Sequence, residues 1–521
     1  MLFAQGLSFS ILQQKSLGGE SSDICTSLLS LPSGSFLLGG YSWSNGKKGD
    51  KVDTLRSFLL PDIWLLELDV QKNIIWQKTY GGTGADILKK IVRLQDGNIL
   101  LGASSNSIKS FEKSENTRGL YDYWLLKITP SGSVIWDKTL GGSRNDFLVA
   151  VLELDNGEIL VGGNSFSTKS GDKNSENWGE ADIWLCKLRA SGELIWQRSL
   201  GGNNIEQLAA LQKKKNGNFL ILGTTYSDSS GSIVDTSRGG ADLWIAEVSQ
   251  AGNIVRQKRI GGNKNDIAAA LWINEKEEIF LLAASHSDSS FQKTEPCRGD
   301  FDYWFLVLDS RLEIVGQKTL GGIQPDFPVA FCNVAPEDTL LSIVGYSYSN
   351  IGYEKQQPAR GQEDIWLLTL DKKGRVLEEQ TVGGNASDRP AGCYYMPKQN
   401  LYVAAYSNST QGFEKEDSSK GLEDYWFLAI QSATLGKTEN PFGAEEFIKV
   451  YPNPTHSNLC IQAVPLENAY LTIWDVWGNK LWQQSLSSEE SIELNLSLPP
   501  GLYLLHFHSP KGKLVKKIIV Y

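Results

Sequence analysis

Between residues 86 and 139 the chain alternates four short apolar runs with polar, glycine-bearing breaks. The runs span residues 86–94, 98–105, 122–129 and 134–139, lengths typical of strands and too short for helical periodicity. Gln95-Asp96-Gly97-Asn98 joins the first two and Pro130-Ser131-Gly132-Ser133 the last two. Asp-Gly and Ser-Gly pairs supply the positive φ of a tight hairpin. The second and third runs are instead separated by a polar loop of about fifteen residues.

This block recurs with a period of 60. Gly-Gly stands at 18/19, 81/82, 141/142, 201/202, 261/262, 321/322 and 383/384, and an acidic residue follows each pair: Asp23, Asp86, Asp146, Glu206, Asp266, Asp326 and Asp388. A second marker, Asp-x-Trp, opens the third run seven times, as Asp62/Trp64, Asp122/Trp124, Asp182/Trp184, Asp242/Trp244, Asp302/Trp304, Asp364/Trp366 and Asp424/Trp426. Seven repeats of four antiparallel strands predict an all-β fold, a seven-bladed β-propeller over residues 8–431. The last unit, 388–430, has three runs, and residues 9–17 match a fourth. The N-terminal strand is therefore expected to complete the last blade and close the ring, which removes an exposed edge.

Composition supports this reading: 16 Trp and 51 Gly against 2 Met and 17 Pro favour strands and tight turns. A net charge of −10 argues against a nucleic-acid partner, which needs a basic footprint. No window has the length and apolarity of a membrane helix. The six cysteines, Cys25, Cys186, Cys297, Cys332, Cys393 and Cys460, contain no close pair, and the expectation is mostly free thiols. Residues 1–7 read as the remnant of a signal peptide whose start lies upstream.

Antiparallel order puts the Gly-Gly linkers and long loops on one face and the tight hairpins on the other. The second strand of every unit ends in Ser/Thr-x-Ser, for example Ser105/Ser107 and Thr225/Ser227, between the two acidic positions. An acid-hydroxyl-acid row across each blade is expected to fix the turns. The alternative, a rim calcium ion, would need loop oxygens, because carboxylates two strands apart stand roughly 10 Å from each other. The tryptophans of Asp-x-Trp read as inter-blade packing. Only His286 among the four histidines lies in the propeller, and no catalytic constellation is identifiable. Loops such as Lys109–Lys113 and Tyr353–Lys355 set an aromatic among mixed charges, a composition suited to partner recognition.

Residues 8–431 resemble the secreted seven-bladed β-propeller repeat family, whose units begin Gly-Gly-x-x-x-Asp and carry an Asp-x-aromatic strand. That resemblance implies architecture and little about activity. Trp76, Trp136 and Trp196 resemble the tryptophan-docking column of quinoprotein dehydrogenases, but the column continues as Arg256, Gly316 and Glu378.

After a small polar linker at 432–446, residues 447–521 alternate as strands of a small β-sandwich. Pro452, Asn453 and Pro454 at its entry, Gly478 in the middle, Gly501 late, and the closing Lys516, Lys517 and Tyr521 mark ordered motifs. Together they resemble the C-terminal sorting domain of the type IX secretion pathway of Bacteroidota. The resemblance implies Sec export, outer-membrane translocation by the type IX machinery, and release or surface attachment. The expectation is a monomeric secreted or cell-surface binding or scaffold protein without a cofactor, its loop face taking an extracellular protein or glycan. The alternatives are a polysaccharide hydrolase or lyase and, further off, a quinone-dependent oxidoreductase.

Overall fold

The computed structural model describes residues 9–431, apart from 47, 333–339 and 397–399. It also describes 448–520, apart from 452–454, 456–457, 464–469, 476–479, 486–490, 496–497 and 510–511. Among these residues the chain is all-β with no helix, and it divides into units Met1–Leu435 and Gly436–Tyr521.

The first unit contains seven four-stranded antiparallel sheets. The first sheet runs Asp23–Ser30, Phe36–Ser42, Asp62–Leu68, Ile74–Tyr80, and the second Asp86–Arg93, Ile99–Ser105, Asp122–Ile128, Val134–Leu140. Four more follow in the same order, beginning at Asp146, Glu206, Asp266 and Asp326. The seventh holds Asp388–Met396, Asn400–Ser407 and Asp424–Gln431, and its fourth strand is Ser10–Leu17, antiparallel to Asp424–Gln431. The N-terminal strand thus sits where the repeat lacks one.

Register explains why the markers recur. Asp86 pairs with Ser105 and Ser105 with Asp122, so both carboxylates and the hydroxyl lie in one row across the sheet end. Each first strand also carries a bulge two residues after its acid, as between Leu88 and Lys90, which adds local twist. First strands of consecutive sheets pack together, and Asp23–Ser30 packs on Asp388–Met396. They surround a cavity of about 520 Å³ whose wall includes the small residues Ala150, Ala210, Ala270, Ala330 and Gly392.

The core lies between sheets. Trp124 shares a cluster with Ile63, Leu65 and Tyr80 of the preceding sheet, and Trp184 one with Tyr123 and Leu125. All seven Asp-x-Trp indoles are fully buried, and burial of each stabilises by about 2–3 kcal/mol. Trp76, Trp136 and Trp196 lie against the hairpin glycines of the next sheet, Gly132, Gly192 and Gly252, 3.1–3.3 Å from where a Cβ would stand. In this protein the partial column is an inter-sheet contact.

The expectation of mostly free thiols fails at one pair. Cys332 and Cys393, 61 residues apart, form a disulfide with Cα atoms at 4.9 Å. They stand in the first strands of neighbouring sheets, so one repeat of sequence separation brings them together in space. Cys25, Cys186 and Cys297 are free thiols; burial pushes the Cys25 thiol up to about 12.

The second unit has a three-stranded sheet, Ile448–Tyr451, Asn458–Ala463, Ser491–Asn495, and a four-stranded one, Lys480–Ser485, Tyr470–Asp475, Gly501–Ser509, Gly512–Val520. The final strand pairs along its whole length with Gly501–Ser509.

Candidate functional site: the loop-bearing face

Each Gly-Gly pair is required by close approach. A Cβ on Gly81 would stand 2.2 Å from Asp62 Oδ1 and 2.9 Å from Asp86 Oδ2, and one on Gly82 would stand 2.6 Å from Ser107 Cβ. No side chain fits. Two carboxylates from consecutive sheets, Asp62 and Asp86, therefore flank one linker and interact electrostatically.

Their hydrogen bonds are internal. Asp86 Oδ2 accepts from the Gly82 N–H at 2.7 Å and from Ser107 Oγ at 2.8 Å. Ser107 Oγ in turn accepts from Gly84 N–H at 2.8 Å. Asp122 Oδ2 accepts from the Arg118 N–H at 2.5 Å, which pins the end of the long loop. The same contacts recur in the other sheets, for example Asp146 with Gly142 and Ser167. Burial raises these acids: Asp62, Asp122 and Asp302 to about 7, and Asp23, Asp182, Asp326 and Asp364 to about 6.

The compensating cation comes from within the chain. Lys113, 1% exposed, reaches from the long loop to Thr139 Oγ1 at 2.6 Å and lies 5.2 Å from the Trp124 ring centroid. Burial lowers its ammonium to about 8, opposed by Asp86, Asp137 and Asp122. Lys293 and Lys415 repeat the arrangement over Trp304 and Trp426. In the fourth sheet Ile233 replaces the lysine, and Arg259 enters from the fourth strand to pair with Asp242 at 2.5 Å, both side chains wholly buried. Among the described residues no group of three or more His, Cys, Asp or Glu could hold a metal ion.

Each Asp-x-Trp indole donates to an acceptor thirteen residues later: Trp64 to Gln77, Trp124 to Asp137, Trp184 to Gln197, Trp244 to Gln257, Trp304 to Gln317 and Trp366 to Glu379. For Trp426 the acceptor is Gln14 Oε1 at 3.1 Å, on the N-terminal strand. Fourth-strand residues carrying this acceptor column went unnoticed in the sequence, although the spacing is constant.

The repeated polar positions are thus inside, and the exposed chemistry is in the loops. Phe111, Phe291, Tyr353 and Phe413 are 65–68% exposed and hold positive φ of 48–54°. The equivalent residues of the remaining units are Gly49, Gly171 and Gly231, also at positive φ. An exposed aromatic in the left-handed region carries a steric cost of about 1–2 kcal/mol. Arg56 and Arg298 flank Phe111 and Tyr353 at 5.8 and 5.7 Å. The lysines once counted with these loops, Lys113 and Lys355, are instead buried.

Ion pairs link neighbouring loops: Arg56–Glu112 at 2.9 Å, Arg118–Asp172 at 2.9 Å, Arg298–Glu354 at 3.0 Å and Arg360–Glu414 at 2.7 Å. Lys420 pairs with Asp50 and so joins the seventh loop to the first. His286 Nε2 meets Asp300 Oδ1 at 3.2 Å on the half-exposed rim. Gly501 and the backbone of Lys516 and Lys517 lie in paired strands, whereas Pro452, Asn453, Pro454, Gly478 and Tyr521 lie outside the described residues.

These features define a protein of repeated, propeller-like four-stranded sheets whose repeat markers are structural. Residues 449–521 match the family described as secretion system C-terminal sorting domain. The chain therefore carries a type IX sorting domain of the Bacteroidota kind, which engages the type IX machinery and directs it to the cell surface or extracellular space. The described helix-free chain has no helix able to cross a membrane.

Among curated proteins, the chain is 22% identical over 216 residues to the regulatory protein FlaEY of Caulobacter vibrioides, covering 39% of this chain and 23% of that protein. The match thus spans about a quarter of that relative. Solved structures with similarity include hydrazine synthase of Kuenenia stuttgartiensis (TM-score 0.44, 11% identity, 74% of this chain and 93% of that one). They also include the Pan2 WD40 domain of Neurospora crassa (0.41, 10%, 81% and 97%) and an ulvan lyase of polysaccharide lyase family PL25 (0.45, 9%, 80% and 96%).

Proposed function

We propose that the protein is an exported recognition module: a monomeric, closed seven-bladed propeller that binds an extracellular protein or glycan through its loop-bearing face. It has no catalytic centre of its own and needs no cofactor. In this reading residues 432–446 are a linker and 447–521 the sorting domain.

Closure is supported by the strand Ser10–Leu17 in the seventh sheet, the Trp426–Gln14 bond and the Lys420–Asp50 pair. The observation that carries the binding role is the set of exposed aromatics at positive φ. Strain retained at an exposed position points to use of that position, and rigid aromatics are effective binding anchors.

The test uses the full chain and a variant with Phe111, Phe291, Tyr353 and Phe413 changed to Ser, presented to the extracellular polymer and surface-protein fractions of the native host. The unchanged protein is expected to bind one fraction, and the variant at least about tenfold more weakly. Equal binding by both would overturn the reading.

A further inference from the structure

One unit departs from the repeat at three positions that touch each other. In the second unit Lys138 and Arg118 both pair with Glu115, at 2.9 and 2.6 Å. In the fifth, Lys318 and Arg298 pair with Glu295, at 2.8 and 3.3 Å. These triads tie the long loop to the fourth strand. In the third unit the same positions hold Arg198, Ser175 and Trp178. The acid has become a short hydroxyl, and the loop arginine has become an indole.

The space is left open. A cavity of about 520 Å³ lies there, lined by residues 174–178 and 197–199, a size suited to a small ligand. Ser175 Oγ bonds only sideways, to Ser199 Oγ at 2.8 Å. Arg198 makes no ion pair among the described residues; its Nη atoms donate to the backbone oxygens of Gln197 and Ala251 at 2.8 and 3.2 Å.

Trp178 is 62% exposed, yet it is held in place. Its backbone N–H donates to Asp182 at 2.8 Å, and its indole rests on Gly231, where a Cβ would come within 2.9 Å of Cγ and Cδ2. Gly231 occupies the place of the exposed aromatics, so an aromatic there would collide with the indole. One face of the ring is thus supported by backbone and the other is free.

We propose that this cavity binds a pyranose ring of an extracellular polysaccharide, stacked on the free face of Trp178, with ring hydroxyls meeting Arg198, Glu176 and Asn174. The inference rests on the recognition-module reading and names the ligand class for one of its sheets. A sugar ring has an apolar C–H face and a rim of hydroxyls that both donate and accept. A lone indole among Asn, Ser, Glu, Gln and Arg matches that distribution.

The test is calorimetric titration of the full chain with neutral and with uronate-bearing oligosaccharides. The control variant combines Ser175→Glu with Trp178→Arg, which rebuilds the ion triad of the second and fifth units and is expected to keep the melting temperature. Binding of a neutral sugar places the hydroxyl contacts foremost; binding of uronates alone assigns Arg198 to the carboxylate; either supports the site if the variant weakens it at least about tenfold. Binding of neither class up to about 10 mM, or undiminished binding by the variant, overturns the proposal. A sugar that still binds the variant but is lost from the Phe111, Phe291, Tyr353 and Phe413 variant would refute this site and leave the recognition reading standing.

Discussion

In the fourth sheet, replacing Arg259 by Thr should unmask the cost of the buried carboxylate that every sheet carries. Arg259 Nε lies 2.5 Å from Asp242 Oδ2, its Nη1 donates to the Ser227 and Asp235 carbonyls at 2.5 and 3.3 Å, and neither side chain of the pair is exposed. Removing one partner of such a pair costs about 3–5 kcal/mol. A second route gives the same size. If Asp242 escapes by staying protonated at pH 7, the cost from its usual 3.8 is about 4 kcal/mol at roughly 1.4 kcal/mol per pH unit. Arg259→Thr should therefore lose about 3–4 kcal/mol. Ile233→Lys alone adds a second buried cation beside Arg259 and should also destabilise. Together they recreate the Lys113–Thr139 arrangement of the second sheet, and the double variant should recover at least half of the loss. Urea unfolding followed by tryptophan fluorescence measures the three variants, with hydrogen exchange in Asp242–Val248 reporting the local effect. A double variant no more stable than Arg259→Thr would refute the idea that loop lysine and strand arginine are interchangeable counter-ions.

Other consequences follow from the same contacts. The buried aspartates have folded pKa values raised to about 6–7 against an ordinary 3.8, so the folded state binds protons more tightly and their contribution is lost as pH rises through 6–7. The protein should melt higher at pH 5.5 than at pH 8; a melting temperature that rises across that interval would contradict the assignment. Reducing Cys332–Cys393, or changing both to Ser, opens a loop of 61 residues and should cost about 4 kcal/mol in the chain-entropy account, read by denaturation with and without reductant. An oxidised pair also fits export from the cytoplasm. Phe111→Gly should leave stability unchanged or raise it by up to about 1 kcal/mol, because it relieves positive φ at a residue 67% exposed. A loss larger than that would make the ring a structural element.

The sheets were legible because each is bounded by markers that backbone geometry enforces. Gly81 and Gly82 admit no side chain, and Asp122 must accept the Arg118 N–H, so the markers recur wherever the sheet does. The N-terminal strand was legible by subtraction, since the last unit ran out of strands. The side-chain chemistry was less so. Gln77, Asp137 and Gln257 look like surface polar residues in an exposed strand until the indole they accept from is seen. Lys113 reads as a loop charge, and only the fold carries it into the core. The disulfide escaped because its partners are remote in sequence and meet only when consecutive first strands pack side by side. The value of Phe111 and Trp178 lies in φ and in a neighbour's missing side chain, neither of which a single unit reveals.

If the sheets are cargo for an exported recognition role, localisation in the native host with and without residues 513–521 reveals it. Residues 513–520 form most of the last strand, paired to Gly501–Ser509, and the nine lie within the sorting match. The whole chain should appear at the surface or in the medium, and the shortened chain should accumulate in the periplasm. Export of the shortened chain at the level of the whole one would contradict the account and leave the C-terminal unit without its sorting role.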